Sequence, residues 1–361
     1  MDSFYKLFIK SYFNELKKKR KSYRSIFRAD LNRIEKVILC YEWVLEFITS
    51  KISKDRVVNF FLYKNNFFLN NIEAFEETFD LLEDERSKKL YIQYVVFKTI
   101  NSNRFKLNLE FENISKQIKR IEGLQISSNE GYSSNIGYLH LYNLKNLGYD
   151  ITIINNPIGI LIDFVFEQYA YEKLVSVKKD DVVIDCGGAT GDTALYFSSK
   201  GASKILIVEF IKSNIELIKK QFQNNKKYND LIEIIEKPLW DKSGVDLSYL
   251  EKGSATRVAF NNDYPKKIQS GCIDEIAVDI EVDFIKMDIE GAELPALRGA
   301  AKTIKTNKPK LAICVYHKEN DLIEIPKYIQ SLNKDYKFFF DYYTDIGWEA
   351  VLFAIDKKDL I

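Results

Sequence analysis

Apolar residues recur along this chain with two different periods, and the change between them divides it. In the first third the spacing is helical. Ile34, Val37, Ile38, Tyr41, Val44, Leu45 and Ile48 fall three or four residues apart in IEKVILCYEWVLEFI, and FDLLEDERSKKLYIQYVVFKTI, Phe79 to Ile100, repeats that stripe. Residues 1–122 contain neither glycine nor proline, Gly123 and Pro157 being the first of each. Strands and tight turns need those residues, so the pattern predicts an α-helical N-terminal domain over 1–122, of about four or five helices.

Residues 123–177 read as a connecting region. GYLHLYNL and YDITIINN alternate as a hairpin does, with Gly148 between them, and ILIDFVFEQYAYEKLV reads as a helix. From 178 to 361 short β-branched runs alternate with amphipathic stretches. Strands are expected at Val182–Cys186, Ile205–Glu209, Ile232–Ile235, Phe284–Asp288 and Leu311–Tyr316, with helices at Thr190–Ser199, Asn214–Asn225, Ala292–Ile304 and Leu322–Leu332. That alternation is the signature of an α/β domain, a parallel sheet covered by helices on both faces. The chain closes differently: YKFFFDYY and EAVLFAI are two strand patterns joined by a turn near Gly347, with no helix between them.

Chemistry enters at VVIDCGGATGD, Val182 to Asp192. An apolar strand ends on Asp185 and Cys186, turns through Gly187, Gly188 and Gly191, and opens a helix. Glycines let a backbone pass close under a ligand, and a helix N-terminus offers N–H groups to an anion. Glu209 ends the next apolar run about 20 residues on, where a ribose-diol acceptor is expected. The pattern points to an adenosine-containing cofactor. Ala189 stands where dinucleotide fingerprints carry a glycine, which disfavours a pyrophosphate at that point.

Bulk properties narrow the partners. At 361 residues the chain has room for roughly two domains. A net charge of +1 supplies no global field for nucleic acid, so none is expected as partner. Cys40, Cys186, Cys272 and Cys314 lack metal or redox spacing, which fits a reducing cytoplasm. No signal-peptide pattern and no apolar run of about 18 residues is present. The abundance of Lys, Asn and Ile suggests an AT-rich bacterial genome. The first thirty residues are basic, with Lys or Arg at 6, 10, 17–21, 24 and 28. Such a stretch is either a solvated helix face or a helix that meets polyanions or a membrane surface peripherally.

The segments DCGGATGDTALYF, VEF, PLWDKSG, VDFIKMDIEGAELPALRGA and KPKLAICVYHK, followed by DLIEIPKYI, resemble in order the FkbM family of S-adenosylmethionine-dependent methyltransferases, over roughly 168–355. The resemblance implies a Rossmann-like seven-stranded class I methyltransferase sheet whose last two strands form a C-terminal β-hairpin. It implies S-adenosyl-L-methionine as cofactor. Asp185, Gly187, Gly188 and Gly191 would border its methionine part, Glu209 would take the ribose hydroxyls, and Phe210 and Leu239 would sandwich adenine. The acceptor implied is a hydroxyl of a sugar, glycan or secondary metabolite, with nucleotide- or phosphate-linked acceptors and a homo-oligomer left open.

Candidates for the reacting centre lie at strand ends: Lys286, Asp288, Glu290 and Glu293 around the fourth strand, and His317 after the fifth. His317 is the best base on intrinsic pKa, near 6.5. Asp288 could serve as base or orient the acceptor; it could equally pair with Lys286 or cap the next helix. Lys286, inside an apolar strand, needs a partner or a function. Glu290 could orient the acceptor. Asp288, Glu290 and His317 also make a carboxylate-histidine set of the kind that holds a divalent metal, although spacing alone does not establish one and no metal is expected. His140, between Leu139 and Leu141, reads as structural. Two other functions fit part of the pattern: an NAD-linked oxidoreductase or epimerase, and a non-catalytic methyltransferase-like binding protein.

Overall fold

The computed structural model describes residues 4, 7, 8, 10–12, 67–100, 107, 109, 113–126, 132–134, 137–251, 256–260 and 263–360. The helical stripe expected at 34–48 and most of the basic first thirty residues lie outside the described residues. The chain divides into two compact units, residues 1–108 with 344–348 and residues 109–343 with 349–361.

In the first unit Phe67–Asn70, Ile72–Leu81 and Glu85–Ile100 are helices. The stripe expected to run unbroken from Phe79 to Ile100 is interrupted. Leu82 turns to an extended conformation, and Asp84 Oδ1 accepts the Ser87 N–H at 2.6 Å, so an acidic cap opens the second helix. Phe75, Phe79, Leu90, Tyr91, Tyr94 and Val95 are buried.

The second unit begins with the helix Ile114–Glu122 and a three-stranded antiparallel sheet of β1 (Tyr132–Ser134), β2 (Gly137–Asn143) and β3 (Thr152–Asn155). β2 and β3 are the expected hairpin, joined by a 3-10 turn at Leu144–Leu147 and Gly148 at φ 95°. The helix expected from 160 to 175 is much shorter. A turn of α-helix at Pro157–Ile160 widens into a π turn at Leu161–Val165, and the chain then leaves the helix, with Glu167 at φ 53°. Tertiary contacts override the local pattern: the Glu167 carboxylate accepts Tyr149 Oη at 2.9 Å and Lys200 Nζ at 2.7 Å.

The main sheet contains β4 (Val182–Cys186), β5 (Lys204–Val208) and β6 (Ile232–Ile235). After a small antiparallel sheet of β7 (Asp246–Leu250), β8 (Arg257–Ala259) and β9 (Lys266–Gln269), it continues with β10 (Phe284–Met287), β11 (Lys310–Cys314), β12 (Tyr336–Tyr342) and β13 (Ala350–Asp356). Its order is β12-β13-β11-β10-β4-β5-β6. The strands from β11 to β6 are parallel, and β13 runs antiparallel to both β11 and β12. β10 and β4 are buried along nearly their whole length, as the apolar runs require. The sequence reading contained no counterpart of β7–β9, whose short runs are half exposed and mix Lys, Asp and Ser with few apolar positions. The helix expected at 292–304 is two, Glu293–Arg298 and Ala301–Asn307. Gly299 packs so tightly at the break that a Cβ there would lie 2.2 Å from the Trp240 carbonyl oxygen.

Candidate active site

The parallel strands end at one edge, where open α/β sheets bind ligands. β4 delivers the glycine turn, β5 Glu209, β10 Asp288, and β11 Tyr316 and His317.

The glycine turn is held from within. Gly187 and Gly188 donate their N–H groups to the Val208 carbonyl at 3.0 and 3.2 Å, and Gly191 donates to Gly188 at 2.6 Å. Ala189, at φ 40°, donates to Glu209 Oε2 at 3.1 Å. The N–H groups of Gly187, Gly188, Ala189 and Gly191 are therefore engaged within the fold. The glycines answer to packing as well. A Cβ on Gly187, at φ 85°, would lie 2.0 Å from the Asp288 carbonyl oxygen, and one on Gly188 would lie 2.2 Å from Ile207 Cγ2.

Asp185 and Lys286 sit opposite each other in the β4–β10 register and form a buried ion pair at 3.1 Å, with side chains 0% and 3% exposed. Asp185 also accepts Thr193 Oγ1 at 2.5 Å. Lys286 Nζ donates to the Gly187 carbonyl at 2.8 Å and lies over the Tyr169 ring. Burial disfavours the ammonium, but the Asp185 and Asp288 charges outweigh it and hold the lysine protonated. Lys286 thus has the partner that its place in an apolar strand required, and the pair fastens the glycine turn to β10.

A cleft opens beside the turn, lined among others by Ala189, Glu209, Phe210, Leu239, Asp288 and Glu290. Glu209 is buried, and burial raises its pKa against the donors it collects: Phe210 N at 2.7 Å, Ile211 N at 2.8 Å, Ala189 N and Asn214 Nδ2 at 3.1 Å. Phe210 and Leu239 line the cleft. Thr190 Oγ1, in the turn, is buried without a hydrogen-bond partner, a polar group that a bound amino-acid moiety would satisfy.

At the other end of the cleft the DIEG segment turns sharply, with Glu290 at φ 57° and Gly291 at φ 97°. Glu293 carries that turn: Oε1 accepts the Ile289 N–H at 2.9 Å and lies 2.9 Å from His317 Nδ1. The opposite ring nitrogen, Nε2, lies 3.4 Å from Asp288 Oδ1 and 3.7 Å from Glu290 Oε2. Burial alone would lower the pKa of His317, but Glu293, Asp288 and Glu290 together push it up to about 9. The three carboxylates favour the imidazolium, which weighs against His317 as the base. Asp288 is likewise occupied. It is not the partner of Lys286 but accepts Tyr169 Oη at 3.0 Å and Tyr316 Oη at 3.2 Å. Glu290 alone among these carboxylates faces both the cleft and a neighbouring pocket, and burial raises its pKa to about 7, with Asp288 and Glu293 adding to the rise and His317 opposing it.

Asp288, Glu293 and His317 bring potential metal-ligating atoms within 4.8 Å of one another, a set that shares two members with the one read from sequence. Both ring nitrogens face carboxylates, Glu293 at Nδ1 and Asp288 and Glu290 at Nε2.

Sequence reasoning missed Tyr169, Tyr316 and Glu349. Tyr316 adjoins His317 and was within reach, whereas Tyr169 is delivered by the irregular chain after the π turn. Glu349, at φ 58°, accepts Gln168 Nε2 at 2.6 Å, and burial and the Asp288 charge push its pKa up to about 7.

Residues 185–338 match the family model described as "Methyltransferase FkbM domain". A crystal structure of methyltransferase FkbM from Methylobacillus flagellatus KT superposes with a TM-score of 0.53 at 20% identity, covering 80% of this chain and 59% of that one, so this chain spans under two thirds of its length. An rRNA methylase from Streptococcus thermophilus aligns at 13% identity and TM-score 0.34, over 51% of this chain and 90% of that one. A precorrin-6y C5,15-methyltransferase from Geobacter metallireducens GS-15 aligns at 11% and 0.31, over 54% and 95%. No curated protein sequence matches significantly.

Proposed function

We propose, from the premise that residues 185–338 are a methyltransferase FkbM domain, that the protein transfers a methyl group from S-adenosylmethionine to a hydroxyl of a sugar, glycan or secondary metabolite. The main sheet is then of the Rossmann-like class I methyltransferase kind, closed by the β12–β13 hairpin, and the helical segment over 1–122 is a separate module. When bound, the cofactor supplies an electrophilic methyl on a sulfonium. The chain's own residues do the rest. Glu209 and the Phe210–Leu239 wall would hold the ribose and adenine, and Thr190 the amino-acid end. Because the four acceptor positions of Glu209 are already taken, ribose hydroxyls would share them or displace the Asn214 amide.

The observation that carries this reading is the position of Glu290, which faces the cofactor cleft on one side and the adjoining pocket on the other. A hydroxyl acceptor must give up its proton as the C–O bond forms, and a carboxylate titrating near 7 is matched to that step. With the cofactor bound, Glu290 would take the proton of the attacking hydroxyl. His317, as a cation locked by Glu293, orients the Glu290 carboxylate, while Asp288, pinned by two tyrosines, shapes the wall between them.

The NAD-linked reading has less support. A pyrophosphate needs free N–H groups in the glycine turn, and those of Gly187, Gly188, Ala189 and Gly191 are engaged internally. The test is transfer of isotopically labelled methyl from S-adenosylmethionine to a panel of sugars. Glu290→Gln should lower kcat by about 10²–10⁴ with cofactor binding intact. Full activity in that variant would remove Glu290 from the mechanism.

A further inference from the structure

The pocket that adjoins the cofactor cleft has a composition of its own. It holds about 370 Å³ and meets the cleft at Glu290 and Val258. His317 and Glu290 are at its inner end. Its outer wall is built by β8, the loop after it and the chain following β6, and contributes three rings, Trp240, Phe260 and Tyr264. Phe260 is 69% exposed, an aromatic side chain left in water by the fold. The same wall carries Arg257 and, from the other side, Lys318. Both are exposed, and among the described residues neither has a carboxylate within 4.0 Å. Lys318 is held over the turn at Gly291, its Cε 3.1 Å from where a Cβ would stand. Opposing charge is limited to Asp263 and to Glu290 at the inner end.

Rings at the mouth of a polar pocket offer flat apolar faces to the C–H surface of a pyranose, and their polar tips stay wet. Two exposed cations with no carboxylate in contact can receive an anionic group, Arg through a bidentate fork and Lys as a point charge. We infer that this pocket is the acceptor site and that it selects a sugar bearing an anionic substituent, a phosphate or a carboxylate. The sugar ring lies against the aromatic wall with its hydroxyl toward Glu290, and the anion meets Arg257 and Lys318. This rests on the methyltransferase reading for the direction of the hydroxyl, but not for the binding itself.

The test is calorimetric titration of the full-length protein, with and without S-adenosylhomocysteine, using matched sets of glucose, galactose and mannose. Each sugar is tested as the neutral sugar, the 1-phosphate, the uridine or guanosine diphosphate conjugate, and the uronate. In at least one set the charged form should bind about tenfold tighter or more than the neutral sugar, with affinity falling as salt rises. Phosphate against uronate identifies the anion, and the free phosphate against the nucleotide conjugate identifies its source. Arg257→Gln and Lys318→Gln should each remove most of that preference while leaving S-adenosylhomocysteine affinity unchanged. Phe260→Ala should weaken charged and neutral forms alike. Equal binding of charged and neutral forms in every set, absence of binding by all of them, or a preference that survives both rim variants would overturn the proposal. Failure of S-adenosylhomocysteine to bind while the charged sugars still do would overturn the methyltransferase reading and leave this one standing.

Discussion

His317 Nδ1 lies 2.9 Å from the Glu293 carboxylate, and that contact decides which residue of the site can accept a proton. With Asp288 and Glu290 facing the other ring nitrogen, the histidine is a buried cation whose pKa, about 9, stands well above its ordinary 6.5. Its contribution to folding stability is complete below about 6.5 and is lost as pH rises through about 9. His317→Gln should therefore cost stability at pH 7 and cost little at pH 10, measured as urea midpoints. An equal loss at both would contradict the imidazolium assignment.

The same pair of groups sets the pH dependence of turnover. Glu290, facing His317, Asp288, Glu293 and Arg257, must be ionised to accept a proton, so kcat rises as pH passes through about 7. It falls again near 9 as His317 loses the charge that orients Glu290. Glu290→Gln should remove the rising limb from whatever activity remains. A profile flat from 5 to 10 would contradict both roles.

The Asp185–Lys286 pair is buried on both sides, so breaking it leaves a charge without compensation. Lys286→Met should cost about 3–5 kcal/mol of unfolding free energy, and the double variant with Asp185→Asn should recover part of it. A single variant within about 1 kcal/mol of the parent would show that the carbonyls and the Tyr169 ring, not the pair, matter.

Gly187 and Gly244 both have positive φ, 85° and 73°, but only Gly187 is enclosed. Gly244→Ala should cost about 1 kcal/mol, the strain of the left-handed conformation alone. Gly187→Ala, whose Cβ would meet the Asp288 carbonyl oxygen at 2.0 Å, should cost several times as much and displace β10 from β4. Comparable denaturation midpoints for the two would contradict the close approach.

Chelation tests the electrostatic account of the Asp288, Glu293 and His317 set. With the imidazolium already supplying the positive charge, incubation with EDTA followed by desalting should leave methyl transfer unchanged. Loss of activity that returns with a divalent ion would reassign the histidine as a ligand.

Much of the sheet was legible because β4, β5, β10 and β11 are buried on both faces and read as unbroken apolar runs, and because the terminal hairpin lacked a helix. What the sequence left hidden depends on tertiary context. The half-exposed β7–β9 sheet has no clear period, and the helix after Pro157 stops where Tyr149 and Lys200 capture Glu167. In the site, Glu209, Phe210, Leu239, Asp288, Glu290 and His317 converge as their strand-end positions suggested. Their roles were not readable, because intrinsic pKa favours histidine as base, and the placement of Glu293, Asp288 and Glu290 around His317 weighs against that order. The glycine spacing was correct for a tight turn, but where the turn's N–H groups go, to Val208, Gly188 and Glu209, depends on strands distant in sequence.

The most direct test is calorimetric titration of the purified protein with S-adenosylhomocysteine and, separately, NAD, on the parent and on Glu209→Ala, with thermal unfolding as the check that the variant is folded. Stoichiometric binding of S-adenosylhomocysteine, weakened by about 100-fold or more in a folded Glu209→Ala and matched by no response to NAD, is the predicted result. Binding of NAD with none of S-adenosylhomocysteine, or S-adenosylhomocysteine affinity unchanged in the variant, would contradict the cofactor site described above.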